Sequence, residues 1–282
     1  MRISYLCPLS LCLPLAGLVA ILSPAVLVLT IQVLTAQGQE PTSPAPLQLR
    51  VLSYNIHHGR GIDDQVDLER LAKVVNDCHP DLVALQEVDN RTQRTDGVDQ
   101  TVELARLTGL HAQFARQIDF EGGQYGQALL SRWPLSDLQI HWLPGEPERE
   151  RRIVATCSVD LPGKPLVFGT THLHHNNQDI RLRQARAIGD ALNDRPETII
   201  LAGDLNAEPE HAPIAELLKT WSVVHSAEGL RTFPTVDPTK QIDYIFYRPG
   251  DRLRVASAQV IDEAMASDHR PLLVVLEWTE SR

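Results

Sequence analysis

The stretch from Thr198 to Pro209 constrains the fold of this chain more than any other part of the sequence. Four apolar residues, 199–202, run without alternation into Gly203, as in a strand covered on both faces, and the run ends at Asp204 and Asn206. Because alternate side chains of a strand share a face, Asp204 and Asn206 are predicted to point together. Gly203 is predicted to leave room for a ligand near the backbone. The alternative is a strand that ends in a turn, since Gly, Asp, Asn and Pro are all turn residues.

The first 36 residues differ in composition from the rest of the chain. Arg2 is their only charged residue, and the apolar run is closer to the roughly 20 residues that span a bilayer than to the core of a signal peptide. Ala36 and Gly38 nevertheless offer small residues at a signal-peptidase spacing. Residues 1–36 are therefore predicted to be a signal peptide or an N-terminal membrane anchor. Either one predicts an exported, extracytoplasmic protein, secreted, periplasmic or anchored in the membrane.

The remainder of the chain is predicted to hold one domain. Residues 37–47 are polar and rich in proline, which is typical of a linker, and residues 48–282 show no repeat and no second change in composition. Cys78 and Cys157 are the cysteines beyond the leader. They either pair or stay buried as free thiols, and the apolar runs beside them favour free thiols.

The net charge of −10 argues against tight, non-selective binding to a polyanion. As a candidate substrate, nucleic acid therefore ranks below other phosphate-bearing molecules. The alternative is a local basic groove that binds nucleic acid despite the net charge. The charge does not indicate the oligomeric state.

Several other strand patterns also end at polar residues, as the run before Asp204 does. These residues are Asn55, Glu87, His172, Asp243, and Asp268 with His269. Helical spacing of apolar residues occurs at 66–76, 96–107, 176–192 and 214–218, with Asp67 as a capping candidate for the first. Strands outnumber helices, and several are joined by hairpin-length links. The pattern therefore predicts an α+β fold with mixed or antiparallel sheets.

Seven short segments, taken together and in this order, resemble the endonuclease/exonuclease/phosphatase superfamily, which has the deoxyribonuclease I-like fold. They are Ser53-Tyr54-Asn55-Ile56, Leu85-Gln86-Glu87-Val88, Ala128 to Pro134, Thr171-His172-Leu173, Gly203 to Asn206, Ile242 to Ile245 and Ser267 to Pro271. The resemblance implies a four-layered α/β/β/α sandwich, with two packed mixed or antiparallel sheets and outer helices. It also implies a metal-dependent phosphoesterase site at one edge.

The resemblance further implies roles for individual residues. Asn55, Glu87 and Asp268 would hold a divalent cation, and oxygen ligands suit Mg²⁺ or Mn²⁺. Five residues would act on the phosphate ester or the attacking water: Asp204, Asn206, His172, Asp243 and His269. Asp204 would accept a proton from the water or orient it, and Asn206 would position that water or a phosphate oxygen. His269, aligned by Asp243, and His172 would donate to the phosphoryl oxygens, with direct attack by water and no covalent intermediate.

The chain departs from many nuclease members of the family near its first motif. Those members carry an acid two residues after the first Asn, where this chain has His57. The region is rich in imidazole, with His57, His58, His174 and His175, so Mn²⁺ or Zn²⁺ stays an alternative as the bound metal. The alternative for His58 and His175 is a solvated loop position. Arg152 and His57 are candidate phosphate-binding residues. An exposed arginine at the start of a strand is the alternative for Arg152.

These observations predict an exported metal-dependent hydrolase of a phosphodiester or phosphomonoester, with a lipid head group or small phosphate ester as substrate. The leader, if uncleaved, would attach it to a membrane. Two alternatives remain. One is an extracellular endonuclease or exonuclease on DNA or RNA, and the other is a non-catalytic, membrane-tethered binding module of the same fold.

Overall fold

Twelve strands form two six-stranded sheets in the computed structural model, which describes residues 46–146, 150–226, 229–250 and 252–279. In chain order the strands are β1 (Gln48–Asn55), β2 (Leu82–Asn90), β3 (His111–Phe120), β4 (Gly123–Ser131), β5 (Leu135–Trp142), β6 (Ile153–Val159), β7 (Leu166–His172), β8 (Thr198–Asp204), β9 (Ser222–Val223), β10 (Asp243–Arg248), β11 (Leu253–Val260) and β12 (Leu272–Trp278). The predicted leader, 1–36, lies outside the described residues. Among the helices that are described, none has the length and apolarity to cross a bilayer.

The two sheets share one plan. Their strand orders are β11-β12-β1-β2-β4-β3 and β5-β6-β7-β8-β10-β9. Each has one parallel pair at its centre, β1 with β2 and β7 with β8, flanked by antiparallel neighbours. The carboxyl ends of a parallel pair lie at the same edge of a sheet. The mixed sheets predicted from the sequence are confirmed.

The strands carry continuous apolar runs because both of their faces are covered. In β8, Ile200 and Ala202 face the core between the sheets, while Ile199 and Leu201 pack against helices. This period of two is the pleat of a strand buried on both sides. The run before Asp204 is therefore a central buried strand, as its composition indicates.

Four helices cover the outer faces of the two sheets: α1 (Leu68–Asp77), α2 (Gln100–Thr108), α3 (Gln178–Leu192) and α4 (Ala212–Leu217). Apolar residues of α1 and α2 pack on the first sheet, and those of α3 and α4 pack on the second. The molecule is thus the four-layered α/β/β/α sandwich that was expected.

The helix starts follow side-chain caps. Asp67 accepts a hydrogen bond from Arg70 N at 2.8 Å and begins α1, as predicted. The helix predicted over 96–107 starts later, because Asp96 follows a 3-10 turn in a left-handed conformation and Asp99 is the residue that caps α2. Asn177 likewise caps α3, which begins two residues after the predicted start.

Cys78 and Cys157 are both buried and free, as favoured from the sequence. Burial raises the pKa of Cys78 to about 11 and that of Cys157 to about 12. Neither thiol is therefore ionised near neutral pH, and both behave as small apolar core residues.

Candidate active site

The strand register aligns three site residues in the second sheet. His172 is the register partner of Asp204 across the parallel pair β7–β8, and Asp243 is the partner of Asp204 across the antiparallel pair β8–β10. His172 and Asp204 end their strands and Asp243 begins its strand, so all three lie at the same edge of the second sheet. The second sheet therefore presents an imidazole and two carboxylates side by side.

The first sheet contributes Asn55 and Glu87, which come from its own parallel pair, β1 and β2. Asn55 ends β1, but β2 continues past Glu87 to Asn90, so Glu87 does not end a strand as expected. The register of β2 against β4 shifts between Gln86 and Val88, and Glu87 has φ 59°. A bulge of this kind redirects a side chain out of the ladder. It places the carboxylate of Glu87 beside Asn55.

The amide of Asn55 connects the two sheets. Its Nδ2 donates to Glu87 Oε1 at 3.0 Å and to Asp204 Oδ2 at 3.2 Å. Its Oδ1 accepts from the backbone N–H of His57 at 3.1 Å, which determines which end of the amide faces the acids. Asn55 thus holds two carboxylates in position, one from each sheet.

Asp204 lies at the centre of the site. Its Oδ2 is 3.5 Å from His172 Nε2 and 3.7 Å from His269 Nε2, and only 2% of the residue is exposed. Burial and the charge of Asp243 raise the pKa of Asp204 to about 7, against the charge of His269 and the hydrogen bonds from Asn206 and Asn55. Asp204 is therefore a carboxylate whose proton affinity suits a general base near neutral pH.

The region around Asp204 differs from two sequence-based expectations. The strand ends at Asp204 and Asn206 has φ 48°, so the two side chains do not share a strand face. Instead, the backbone N–H of Asn206 donates to Asp204 Oδ1 at 2.8 Å, and its Nδ2 donates to Leu173 O at 3.1 Å. Gly203 leaves room for a neighbouring strand and not for a ligand, because a Cβ there would lie 2.0 Å from Thr171 O.

His269 and Asp243 form the second acid–imidazole contact. His269 Nδ1 lies 2.9 Å from Asp243 Oδ2, the same oxygen that accepts from the hydroxyl of Thr232. Burial alone would lower the pKa of His269, but the charge and hydrogen bond of Asp243, with the charges of Asp204 and Asp268, raise it to about 10. His269 is thus a cationic donor at neutral pH, and its Nε2 points toward Asp204.

His172 has the opposite character. It is buried, and both its burial and the charge of Arg152 lower its pKa well below the usual value. Arg152 is itself buried, not exposed at the start of its strand, and lies 3.2 Å from Glu150. Among the described residues, Arg152 Nε has no hydrogen-bond partner. One neutral imidazole and one partly unpaired guanidinium therefore face this part of the site.

His57 lies near both Glu87 and Asp268. His57 Nδ1 is 3.9 Å from Asp268 Oδ1, and ligand atoms of His57, His58 and Glu87 lie within 4.8 Å of one another. His58 is buried, so the alternative of a solvated loop position does not hold for it. Ser267 ties this loop to β1, since its hydroxyl donates to Asn55 O at 2.7 Å. The side chains of Asn55, Glu87, His57 and Asp268 are thus brought to one place.

The structure also shows a buried polar chain that sequence reasoning missed. Gln86 Nε2 donates to Thr170 Oγ1 at 3.0 Å across the two sheets, and that hydroxyl donates to Gln127 Oε1 at 2.9 Å. Gln127 contacts Gln117, whose amide in turn donates to Glu150, the partner of Arg152. The sequence did contain a signal for this chain, namely a glutamine or threonine inside an otherwise apolar strand. A buried polar side chain of this kind needs a hydrogen-bond partner, which predicts a contact with another buried polar group.

The oxygen-bearing residues fit a divalent cation. Glu87 is half-buried at the edge, with one oxygen already oriented by Asn55, and Asp268 has a partly exposed carboxylate near His57. Carboxylate oxygens that remain open to water suit a hard cation that keeps several waters. These residues are the ones that would hold the ion.

Two packed mixed sheets thus bring a buried carboxylate, a cationic imidazole and a partly exposed acid to one edge. The chain belongs to the endonuclease/exonuclease/phosphatase family, whose model matches residues 52–269, and it has the deoxyribonuclease I-like fold. Members of this family are generally hydrolases of phosphate esters that depend on divalent metals.

Solved structures share this fold. An endonuclease/exonuclease/phosphatase from Beutenbergia cavernae has a TM-score of 0.71 and 25% identity, covering 82% of this chain and 72% of that one. A mannosyl-6-phosphatase from Bacteroides thetaiotaomicron has a TM-score of 0.67 at 18% identity, covering 82% of this chain and 100% of that one. The human Nocturnin catalytic domain with a bound sulfate anion has a TM-score of 0.65 at 20% identity, covering 83% and 97%.

Proposed function

We propose that this protein is an exported, divalent-metal-dependent phosphoesterase that hydrolyses a lipid head group or another small phosphate ester by direct attack of water. The observation that carries the proposal is that His172 Nε2 and His269 Nε2 both lie within 3.7 Å of Asp204 Oδ2. Asn55 in turn joins Asp204 to Glu87. These groups are close enough to act on one small anion. They also supply the distinct protonation states that phosphate hydrolysis requires.

The protein residues divide the chemistry between them. Asp204 takes a proton at Oδ2 from the attacking water as the water oxygen bonds to phosphorus. The ester P–O bond breaks on the opposite side, and the released alkoxide takes up a proton from solvent water. His269, cationic through its contact with Asp243, donates from Nε2 to a non-bridging phosphoryl oxygen. His172, being neutral, donates to the same oxygens without adding charge. A divalent ion held by Glu87 would neutralise charge on the phosphoryl and leaving oxygens.

Arg152 is the proposed second contact for the phosphate group. Its guanidinium is buried near His172 and has an unpaired Nε among the described residues, so it can donate to an oxyanion. An anion at this position would relieve the cost of burying an incompletely paired polar group. Arg152 is thus proposed to bind the ester's phosphate.

The substrate proposal rests on charge. A net charge of −10 disfavours a long polyanion, and the family includes proteins acting on small esters, as the mannosyl-6-phosphatase from Bacteroides thetaiotaomicron indicates by its name. The sulfate in the human Nocturnin domain supports the ability of this fold to bind a tetrahedral anion. A small or lipid-linked phosphate ester is therefore ranked above DNA and RNA.

The test of the activity compares substrates and variants of the full-length protein in mild detergent. We expect hydrolysis of bis(p-nitrophenyl) phosphate or a phospholipid with Mg²⁺ or Mn²⁺. Glu87→Ala and His269→Ala are each expected to lower kcat/KM by at least about 100-fold, because one removes the metal carboxylate and the other the charged donor. Glu69→Ala and His225→Ala, at exposed positions, are the matched controls.

Two results would contradict this proposal in different ways. Rapid nicking of plasmid DNA at physiological salt, with little turnover of small esters, would favour the extracellular nuclease. If neither Glu87→Ala nor His269→Ala changes turnover of any ester that the wild type cleaves, the catalytic role of this site is wrong, and a binding module becomes the better reading.

Export is proposed from the apolar leader at 1–36. A fusion of residues 1–47 to a reporter enzyme that is active only outside the cytoplasm is expected to show activity. Replacing three leucines of the leader with lysine should abolish it, because charged residues are excluded from membrane-directed segments. Full reporter activity after that replacement would contradict export through the leader.

A further inference from the structure

The loop after β1 turns two histidines toward Glu87. His57 and His58 follow Asn55, and ligand atoms of His57, His58 and Glu87 lie within 4.8 Å of one another. Two atoms that are each about 2.1 Å from one ion are at most about 4.2 Å apart. Small adjustments of these side chains would therefore bring all three around a single cation.

His58 has an unmet bonding requirement. Only 7% of the residue is exposed, and its Nδ1 is buried without a hydrogen-bond partner among the described residues. A buried polar atom of this kind needs a partner that the protein does not provide. A metal ion bound at this nitrogen would satisfy it.

The backbone around His58 is held in place for this arrangement. Gln100 is fully buried, and its side chain donates from Nε2 to His58 O at 2.7 Å and accepts from Asp89 N at 2.9 Å. The loop is thereby attached to β2 just beyond Glu87. The Gln100 side chain consequently fixes the separation of the His58 backbone from the part of β2 that carries Glu87.

We propose that His57 and His58 complete the coordination of the cation held by Glu87, giving a mixed nitrogen and oxygen site that selects a first-row transition ion over Mg²⁺. The inference rests on the metal site of the proposed function and adds its metal class. Imidazole is a good ligand for Mn²⁺, Co²⁺ and Zn²⁺, whereas Mg²⁺ prefers oxygen ligands and water. The side chains present thus favour the softer ions.

The test uses Mn²⁺ as a spectroscopic probe of the full-length protein. Pulsed electron paramagnetic resonance is expected to show ¹⁴N coupling to bound Mn²⁺ from directly bonded imidazole. His58→Asn should remove part of that coupling and weaken Mn²⁺ binding by about 10-fold or more, with a much smaller effect on Mg²⁺. Asparagine is chosen because His57 and His58 have φ 44° and 46°, and asparagine tolerates that conformation. His57→Asn is the companion variant.

His79→Asn is the matched control, because His79 is exposed and also left-handed, with φ 45°. It should change neither the ¹⁴N coupling nor Mn²⁺ affinity. If wild-type Mn²⁺ binds in a Glu87-dependent manner without ¹⁴N coupling, or if Mg²⁺ binds as tightly as Mn²⁺, this inference is wrong while the proposed function stands. If no divalent ion binds, both are wrong.

Discussion

The two site histidines lie within 3.7 Å of one carboxylate oxygen, yet their proton affinities are moved in opposite directions. The difference comes from the charged group that acts on each buried ring. Asp243 contacts His269 Nδ1 at 2.9 Å, whereas the charge of Arg152 acts on His172 together with full burial. One ring is thereby kept charged and the other neutral, which is the separation that acid–base chemistry needs.

The charged state of His269 gives a pH prediction. Because its pKa is raised to about 10, activity that needs the cation should be retained at neutral pH and lost as pH rises through about 10. Asp243→Asn removes the negative charge that raises the pKa of His269 against the effect of burial. The alkaline limb of kcat/KM should therefore move about 1 to 3 pH units lower. The profile of Asp96→Asn, at an exposed position, should match wild type. An unmoved alkaline limb in Asp243→Asn would assign that limb to another group.

At the scale of elements, the site depends on how closely β7 and β8 approach. These two strands are the parallel pair that places His172 beside Asp204, and Gly203 allows their close contact. A Cβ at Gly203 would lie 2.0 Å from Thr171 O, which is a backbone atom that cannot move aside. The close approach therefore serves strand packing, and through it the position of Asp204.

Gly203→Ala tests this packing. The substitution is expected to lower the free energy of unfolding by at least about 2 kcal/mol, because the added methyl group overpacks the β7–β8 contact. Urea unfolding followed by tryptophan fluorescence measures the change. Gly145→Ala is the control, since nothing lies within 4 Å of its Cβ position, and it should change stability by less than about 0.5 kcal/mol. Equal effects of the two substitutions would contradict the steric explanation.

At the scale of the whole molecule, each sheet supplies one half of the site. Glu87 and Asn55 come from the first sheet, and His172, Asp204 and Asp243 come from the second. Besides the apolar core, the two sheets share the buried contact of Gln86 and Gln127 with Thr170. Buried hydrogen bonds between layers help to align the elements that they connect.

Thr170→Val tests the network. It leaves Gln86 Nε2 and Gln127 Oε1 without their shared hydroxyl, so the free energy of unfolding should fall by about 1–3 kcal/mol, measured by thermal unfolding. Thr170→Ser keeps the hydroxyl and should lose less. If valine is as stable as threonine, the polar chain between the sheets contributes nothing measurable to stability.

The sequence predicted the strands and the polar residues at their ends, because apolar periodicity and motif identity are local properties. It did not predict the orientation of those residues. The side of Asn55 that faces Glu87 is set by His57 N–H and by a carboxylate 149 positions away, and the bulge at Glu87 depends on pairing with β4. The burial of Arg152 likewise depends on packing that no short segment encodes. The fold class was accessible from the sequence, as were the polar residues that meet at this edge, and their hydrogen-bonding geometry was not.

The Asn55 amide has a consequence for how this protein tolerates change. This one side chain from the first sheet donates from Nδ2 to Glu87 Oε1 at 3.0 Å and to Asp204 Oδ2 at 3.2 Å. Sliding one sheet against the other by an ångström would break one of these contacts and separate the two acids. Substitutions deep between the layers, far from the edge where these acids meet, can therefore disturb the proposed site while leaving every strand intact.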